Sequence, residues 1–132
     1  PIFVASRAFQ PIETPLIAFD GGASRLQAVD YIARAPLFSG LHCHLLLVGT
    51  DTAENRRRLD AATRQLAPDG RTITAEIMPG QADMVISQAV VTEKFDLLVM
   101  GAYGHSRMRS LIIGSTTTEM VRSCLIPVAL FR

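Results

Sequence analysis

The sequence predicts an α/β fold: a doubly wound, five-stranded parallel sheet in the order 3-2-1-4-5, with helices on both faces. Three observations predict it. Short apolar runs alternate regularly with stretches whose apolar residues recur at helical spacing. Several of those runs are apolar almost without interruption, as strands buried on both faces must be. The runs end in turns rich in Gly and Asp. Right-handed crossovers then leave few topologies for five strands.

Pro15-Leu16-Ile17-Ala18-Phe19 reads as the first strand of this alternation, feeding a turn at Asp20-Gly21-Gly22. From Ser24, Leu26, Val29, Ala33 and Leu37 fall on one helical face, and Pro36 marks the end. Leu41 to Val48 is the next strand, broken at Gly49, after which Thr50 or Asp51 offers an N-cap. Leu59, Ala62 and Leu66 form the narrow apolar face of a second helix, with Arg56, Arg57, Arg58 and Arg64 in solvent. Pro68-Asp69-Gly70 is a turn. Ile73, Ala75 and Ile77 alternate with Thr72, Thr74 and Glu76, which predicts a strand with one polar face. Gly80 opens a third helix that buries Ala82, Val85, Ile86, Ala89 and Val90. Asp96 is a cap or turn residue before a fully buried strand through Met100. A polar, Gly-punctuated stretch runs from Gly101 to Ser110. Ser115 starts a fourth helix carrying Thr117, Met120, Val121 and Cys124, and Pro127 to Phe131 is the last strand.

A doubly wound sheet reverses its winding once, and ligands bind outside the carboxyl ends of the strands at that reversal. In the order 3-2-1-4-5 the reversal lies between the first and fourth strands. Those strands end at Asp20-Gly21-Gly22 and at Gly101-Ala102-Tyr103-Gly104. The first residues stand outside the alternation. Pro1-Ile2-Phe3-Val4-Ala5-Ser6-Arg7 resembles Pro127-Val128-Ala129-Leu130-Phe131-Arg132: a proline, an aliphatic run and an arginine. Residues 1–14 are therefore expected to be the last strand and linker of a preceding copy of the domain, with residues 15–132 forming the domain itself.

Composition narrows the function. The chain has 132 residues, 48% hydrophobic and 19% charged, with a formal charge of +1. That is one globular domain, with no electrostatic reason to expect nucleic acid as a partner. Lys94 is the lone lysine and follows no Gly-rich run, which excludes a P-loop NTPase. Cys43 and Cys124 are too far apart for CxxC chemistry and read as buried thiols. Charges, Gly or Pro interrupt every apolar run, so no membrane span is expected. Arg7 and a Pro-flanked polar segment stand where the apolar core of a signal peptide would lie, so the cytoplasm is the expected compartment.

The candidate chemistry lies in the glycines. No two are separated by a single residue, so the G-x-G-x-x-G dinucleotide fingerprint is absent. Instead Gly101 and Gly104 precede Gly114-Ser115-Thr116-Thr117 at the start of the last helix. Glycine lets backbone N–H groups approach phosphate oxygens, and a helix N-terminus adds orphan donors and its positive dipole end. Ser115 and Thr116 add hydroxyls, and Arg107 and Arg109 could close over a polyphosphate. On spacing alone, an anion site and a loop with an ordinary Ser N-cap both remain open. His105 reads either as a phosphate contact or as a polar loop residue.

Met100-Gly101-Ala102-Tyr103-Gly104-His105-Ser106-Arg107, followed by Gly114-Ser115, resembles the G-x2-G-x9-G-[S/T] motif of the universal stress protein family, in its ATP-binding branch. Residues 15–132 resemble that domain throughout, including Ile17-Ala18-Phe19-Asp20-Gly21, Pro79-Gly80-Gln81-Ala82 and Cys124-Leu125-Ile126-Pro127-Val128. The resemblance implies a Rossmann-like five-stranded parallel sheet, a stress-linked role, and homodimers or tandem pairs joined through the last strand. It implies that Asp20, beside Gly21, contacts the ribose or adenine end. The backbone around Val48 and Gly49 would hold the adenine. Gly101, Gly104, Gly114, Ser115 and Thr116 would hold the phosphates. Two positions depart from the family pattern: Asp20-Gly21-Gly22 replaces its usual D-G-S turn, and Tyr103 and His105 alter a loop that often carries a basic residue. Neither changes the glycine spacing.

The expected function is an ATP-binding, nucleotide-responsive regulatory module, with Mg2+ as a possible companion of the phosphates and slow hydrolysis at most. No catalytic residue is nominated, because no paired carboxylates or Ser-His-Asp arrangement accompany the glycine loop. The alternative is a nucleotide-free dimerisation module of the same fold. An adenylating enzyme is less well supported: Asp20-Gly21-Gly22-Ala23-Ser24 only partly matches the S-G-G-x-D-S loop of ATP pyrophosphatases, and H-x-G-H is absent. In His42-Cys43-His44, alternation puts both histidines on one face. With no carboxylate cluster nearby in sequence, packing or solvent exposure is expected there, and no metal.

Overall fold

The computed structural model describes residues 2–4, 10–20, 27–101 and 126–131. Along the chain these form β1 (Ile2–Val4), β2 (Pro15–Asp20), α1 (Gln27–Arg34), a 3-10 turn (Pro36–Phe38), β3 (His42–Val48), α2 (Ala53–Leu66), β4 (Thr72–Met78), α3 (Ala82–Glu93), β5 (Leu97–Gly101) and β6 (Val128–Phe131). All ten belong to one sheet-centred unit, with the strands in the order β1-β6-β5-β2-β3-β4. The five strands of the alternation, β2 to β6, pair in parallel throughout. Counted among themselves they run 3-2-1-4-5, as the sequence predicts. β1 adds a sixth strand, antiparallel to β6, with Ile2 opposite Leu130, Phe3 opposite Ala129 and Val4 opposite Val128.

Strand parity divides the core in two. Successive side chains of a strand point to opposite faces. Ile17, Phe19, Cys43, Leu45, Leu47, Leu97 and Val99 therefore face one side, where Val29 and Ile32 of α1 and Leu59, Ala62 and Leu66 of α2 cover them. Leu16, Ala18, Leu46, Val48, Leu98 and Met100 face the other, against Ala82, Ile86 and Ala89 of α3. β5 is buried from Leu97 through Met100, as expected of a strand covered on both sides. The predicted fourth helix from Ser115, with Thr117, Met120, Val121 and Cys124, lies outside the described residues.

Three features differ from the sequence expectation. The first helix stops at Arg34, and Pro36 starts a 3-10 turn that buries Phe38 and leaves Leu37 65% exposed. Proline lacks the N–H that would continue the helix, so the chain rotates and the inward position moves by one residue. The N-cap of α2 is Thr52, whose side chain accepts a hydrogen bond from the Asn55 N–H at 3.1 Å. β4 is the outer strand beyond β3, so Ile73 and Ile77 are only half-buried and Ala75 is exposed.

Two polar side chains fasten the elements together. The Asp96 carboxylate accepts from the Glu13 N–H at 2.7 Å and from the Thr14 N–H at 2.9 Å, tying the start of β2 to the start of β5. Arg71 is buried beneath the ends of α1, the 3-10 turn and α2. Its guanidinium donates to the carbonyls of Ile32 at 3.0 Å, Ala33 at 3.1 Å, Phe38 at 2.9 Å, Leu66 at 3.3 Å and Pro68 at 2.9 Å. Helix C-termini expose carbonyls and the negative end of the dipole, so one forked cation satisfies several ends at once.

Candidate functional site

β2, β3 and β5 lie side by side, run parallel and end at the same edge of the sheet. Asp20, the last residue of β2, is paired with Val48, the last of β3. On the other flank Ala18 pairs with Met100, so Gly101 comes one position beyond that pair. β3 and β4 lie to one side of β2, and β5 and β6 to the other. The winding therefore reverses at β2, and the carboxyl edge there is the crevice in which this topology takes ligands. The fold brings Asp20, Val48 and Gly101 of the sequence-predicted site to that edge. Gly21, Gly104, His105, Arg107, Gly114, Ser115 and Thr116 lie outside the described residues, as does Arg109.

The chain leaving β3 is held by main-chain and side-chain bonds. The Gly49 N–H donates to the Met78 carbonyl at 2.9 Å, extending the β3–β4 ladder by one bond. The Asn55 side-chain amide donates to the Thr50 carbonyl at 2.8 Å. Asp51 is joined to Arg56 by two hydrogen bonds of 2.6 Å. The Arg56 hydrogen bond and charge hold the Asp51 carboxyl below its ordinary value. Two backbone groups of this segment, the Gly49 carbonyl and the Thr50 N–H, have no protein partner among the described residues. They belong to one trans peptide unit, so they point to opposite sides of the chain as it leaves β3.

The surroundings of the two histidines, and the role of Arg71, escaped the sequence reading. His44 is 7% exposed and its Nε2 lies 2.7 Å from Oε1 of Glu76, with the Phe95 ring 5.2 Å away. His42 is exposed and bonded to the Thr74 hydroxyl at 2.7 Å. The two histidines do share a face opposite Cys43, as alternation requires. The expectation that no carboxylate adjoins them is corrected: Glu76 comes from the neighbouring strand and Glu93 from the end of α3. Parity held the signal for Glu76, because even-numbered residues of two adjacent parallel strands in this register share a face. Arg71 escaped notice because a single Arg after a turn reads as a surface residue.

The universal stress protein family model matches residues 47–132. Universal stress protein Slr1230 of Synechocystis sp. (strain ATCC 27184 / PCC 6803 / Kazusa) is 36% identical over 134 residues, covering 100% of this chain and 47% of that protein. The chain thus spans about half the length of this curated relative. Among solved structures, a universal stress protein in complex with cAMP superposes with a TM-score of 0.72 at 22% identity, over 93% of this chain and 98% of that one. A universal stress protein family member from Burkholderia pseudomallei gives 0.66 at 18% identity, over 94% and 98%. The structural likenesses support the fold. With the fold, the strand order and the family match agreeing, the chain belongs to the universal stress protein family.

Proposed function

We propose that the domain binds an adenine nucleotide, ATP with Mg2+ on its phosphates, and acts as a nucleotide-responsive regulatory module in stress response. The observation that carries this reading is the meeting of the β2, β3 and β5 carboxyl ends at the winding reversal. In the sequence, the end of β5 runs directly into Gly101-Ala102-Tyr103-Gly104 and on to Gly114-Ser115-Thr116. Glycines there give phosphate oxygens access to backbone N–H groups. Either the Gly49 carbonyl or the Thr50 N–H is suited to one polar atom of an adenine edge, but not both at once, because they point to opposite sides of one trans peptide. Asp20 is suited to a ribose hydroxyl, and His105 and Arg107 to the phosphates. That a structural neighbour is in complex with cAMP supports the nucleotide class.

Nucleotide content and calorimetry test the reading. Purified, unsupplemented protein is expected to release an adenine nucleotide on heating. Titration with ATP is expected to give saturable heat that Gly114→Val abolishes, because a branched side chain blocks the phosphate approach. Competition with cAMP ranks the two ligands. No nucleotide and no heat would leave the dimerisation module as the better reading.

The partner surface we assign to β6. The register of β1 on β6 supports it. With Pro1 aligned on Pro127, Phe3 is the counterpart of Ala129, and it lies opposite Ala129. Ile2 and Val4 correspond to Val128 and Leu130, and they face Leu130 and Val128. This is the pairing a two-fold axis produces between identical strands. Residues 1–14 are thus read as the end of a preceding domain. The length of the curated relative accords with a chain of two such halves.

A further inference from the structure

We propose that His44, Glu76 and Glu93 form a binding site for a divalent transition-metal ion, with Zn2+ as the type ion. One ligand atom from each residue lies within 4.8 Å of the other two. The three come from different elements: β3, β4 and the last position of α3. Such convergence is not a by-product of one helix face or one strand.

The imidazole is the built part of the site. The His44 side chain is 9% exposed, and its Nε2 is aimed at Glu76 Oε1, 2.7 Å away. The Phe95 ring, 5.2 Å from it and tilted by 44°, limits how the imidazole can turn. Apart from His44, no cation lies within ion-pair distance of either carboxylate among the described residues. Two carboxylates this close repel one another, and a divalent cation removes that repulsion. Binding needs only the tautomer of neutral His44 with the proton on Nδ1, which frees the Nε2 lone pair.

The donor set selects the ion. One imidazole nitrogen with two carboxylate oxygens suits Zn2+ and its neighbours in the transition series, whereas Mg2+ and Ca2+ favour six or more oxygens. Three protein ligands leave one tetrahedral position for water. Zinc ligands at about 2.1 Å from the ion stand roughly 3.4 Å apart. The His44–Glu76 pair is already inside that spacing, and Glu93, exposed at the end of α3, is the ligand with room to close. The ion would pin the end of α3 to β3 and β4. His44 precedes Val48 by four residues of strand, roughly 13 Å, so this site is separate from the crevice. The inference does not rest on nucleotide binding.

The test uses the whole chain, treated with a chelator and then titrated with ZnCl2 by calorimetry, with Co2+ as a visible-absorption probe. One equivalent of Zn2+ should bind and raise the Tm. Glu93→Gln, which changes an exposed residue, should weaken binding by at least about tenfold and remove the Tm increase. His44→Gln should do the same, and His42→Gln should change neither. Equal titrations of the parent protein and Glu93→Gln would overturn the proposal. So would an absence of saturable Zn2+ binding, loss of binding in His42→Gln alone, or Mg2+ binding as tightly as Zn2+.

Discussion

Arg71 is where a single side chain carries the most structure. Its side chain is 1% exposed and its guanidinium serves five carbonyls from three element ends; among the described residues its ionic partner is the carboxylate of Asp69, at 3.5 Å and itself 58% exposed. A buried charge is costly unless dipoles and hydrogen bonds replace its water, and the helix C-termini provide both. Arg71→Met should leave those carbonyls without donors and cost roughly 3 kcal/mol, read as a lower urea midpoint. Arg71→Lys should recover only part of it, because an ammonium has three donors and no planar fork. The charge of the same guanidinium acts on the thiol of Cys43. Burial pushes its thiol above the ordinary value of 9.0, and the Arg71 charge only partly opposes this. The folded state then holds the thiol proton more tightly than the unfolded state does. That contribution is present below the ordinary thiol range and fades as pH rises through the folded value, so the thiol stays inert near neutrality.

Helix ends show how far local rules reach. Thr52 caps α2, so Thr52→Ala should cost about 1 kcal/mol. Lys94, the C-cap of α3, has φ of 55°, a left-handed conformation that glycine adopts without penalty. Lys94→Gly should therefore stabilise by up to about 1 kcal/mol. Opposite signs from two cap variants, measured by the same urea titration, check the argument at both helices. Gly80 is the converse: at φ of 130°, an added Cβ would lie 2.9 Å from Val85 Cγ2, so this turn needs glycine. Most of this was legible in sequence. Leu59, Ala62 and Leu66 mark the buried face of α2, and Leu97 to Met100 mark the doubly covered strand. The cap at Thr52 was missed because three adjacent residues could each cap, and side-chain geometry chose among them. The His44–Glu76–Glu93 cluster was illegible for a different reason: its members meet only once strand register and helix placement are known.

At the scale of the whole molecule, the sheet order follows from alternation and handedness, but the edge of the sheet does not. β6 would be an outer strand with unpaired N–H and C=O groups if β1 were absent, and such an edge invites pairing with another chain. Here β1 covers it through three residue pairs centred on Phe3 and Ala129. The likeness between residues 1–7 and 127–132 makes that register self-symmetric, so on the pairing proposed above β1 would stand where β6 of a second copy would pair. The 132-residue chain should therefore be monomeric with respect to this edge. Deleting residues 1–9 should uncover β6 and yield a dimer, measured by light scattering across a concentration series. In the shortened chain, Leu130→Pro should return the monomer: the Leu98 N–H donates to the Pro127 carbonyl, so the Ala129 N–H faces β5 while the Leu130 N–H faces the uncovered edge, where proline removes a ladder donor. A folded, shortened chain that remains monomeric at every concentration would show that β6 has no affinity for its own copy, and the pairing surface would have to be sought elsewhere.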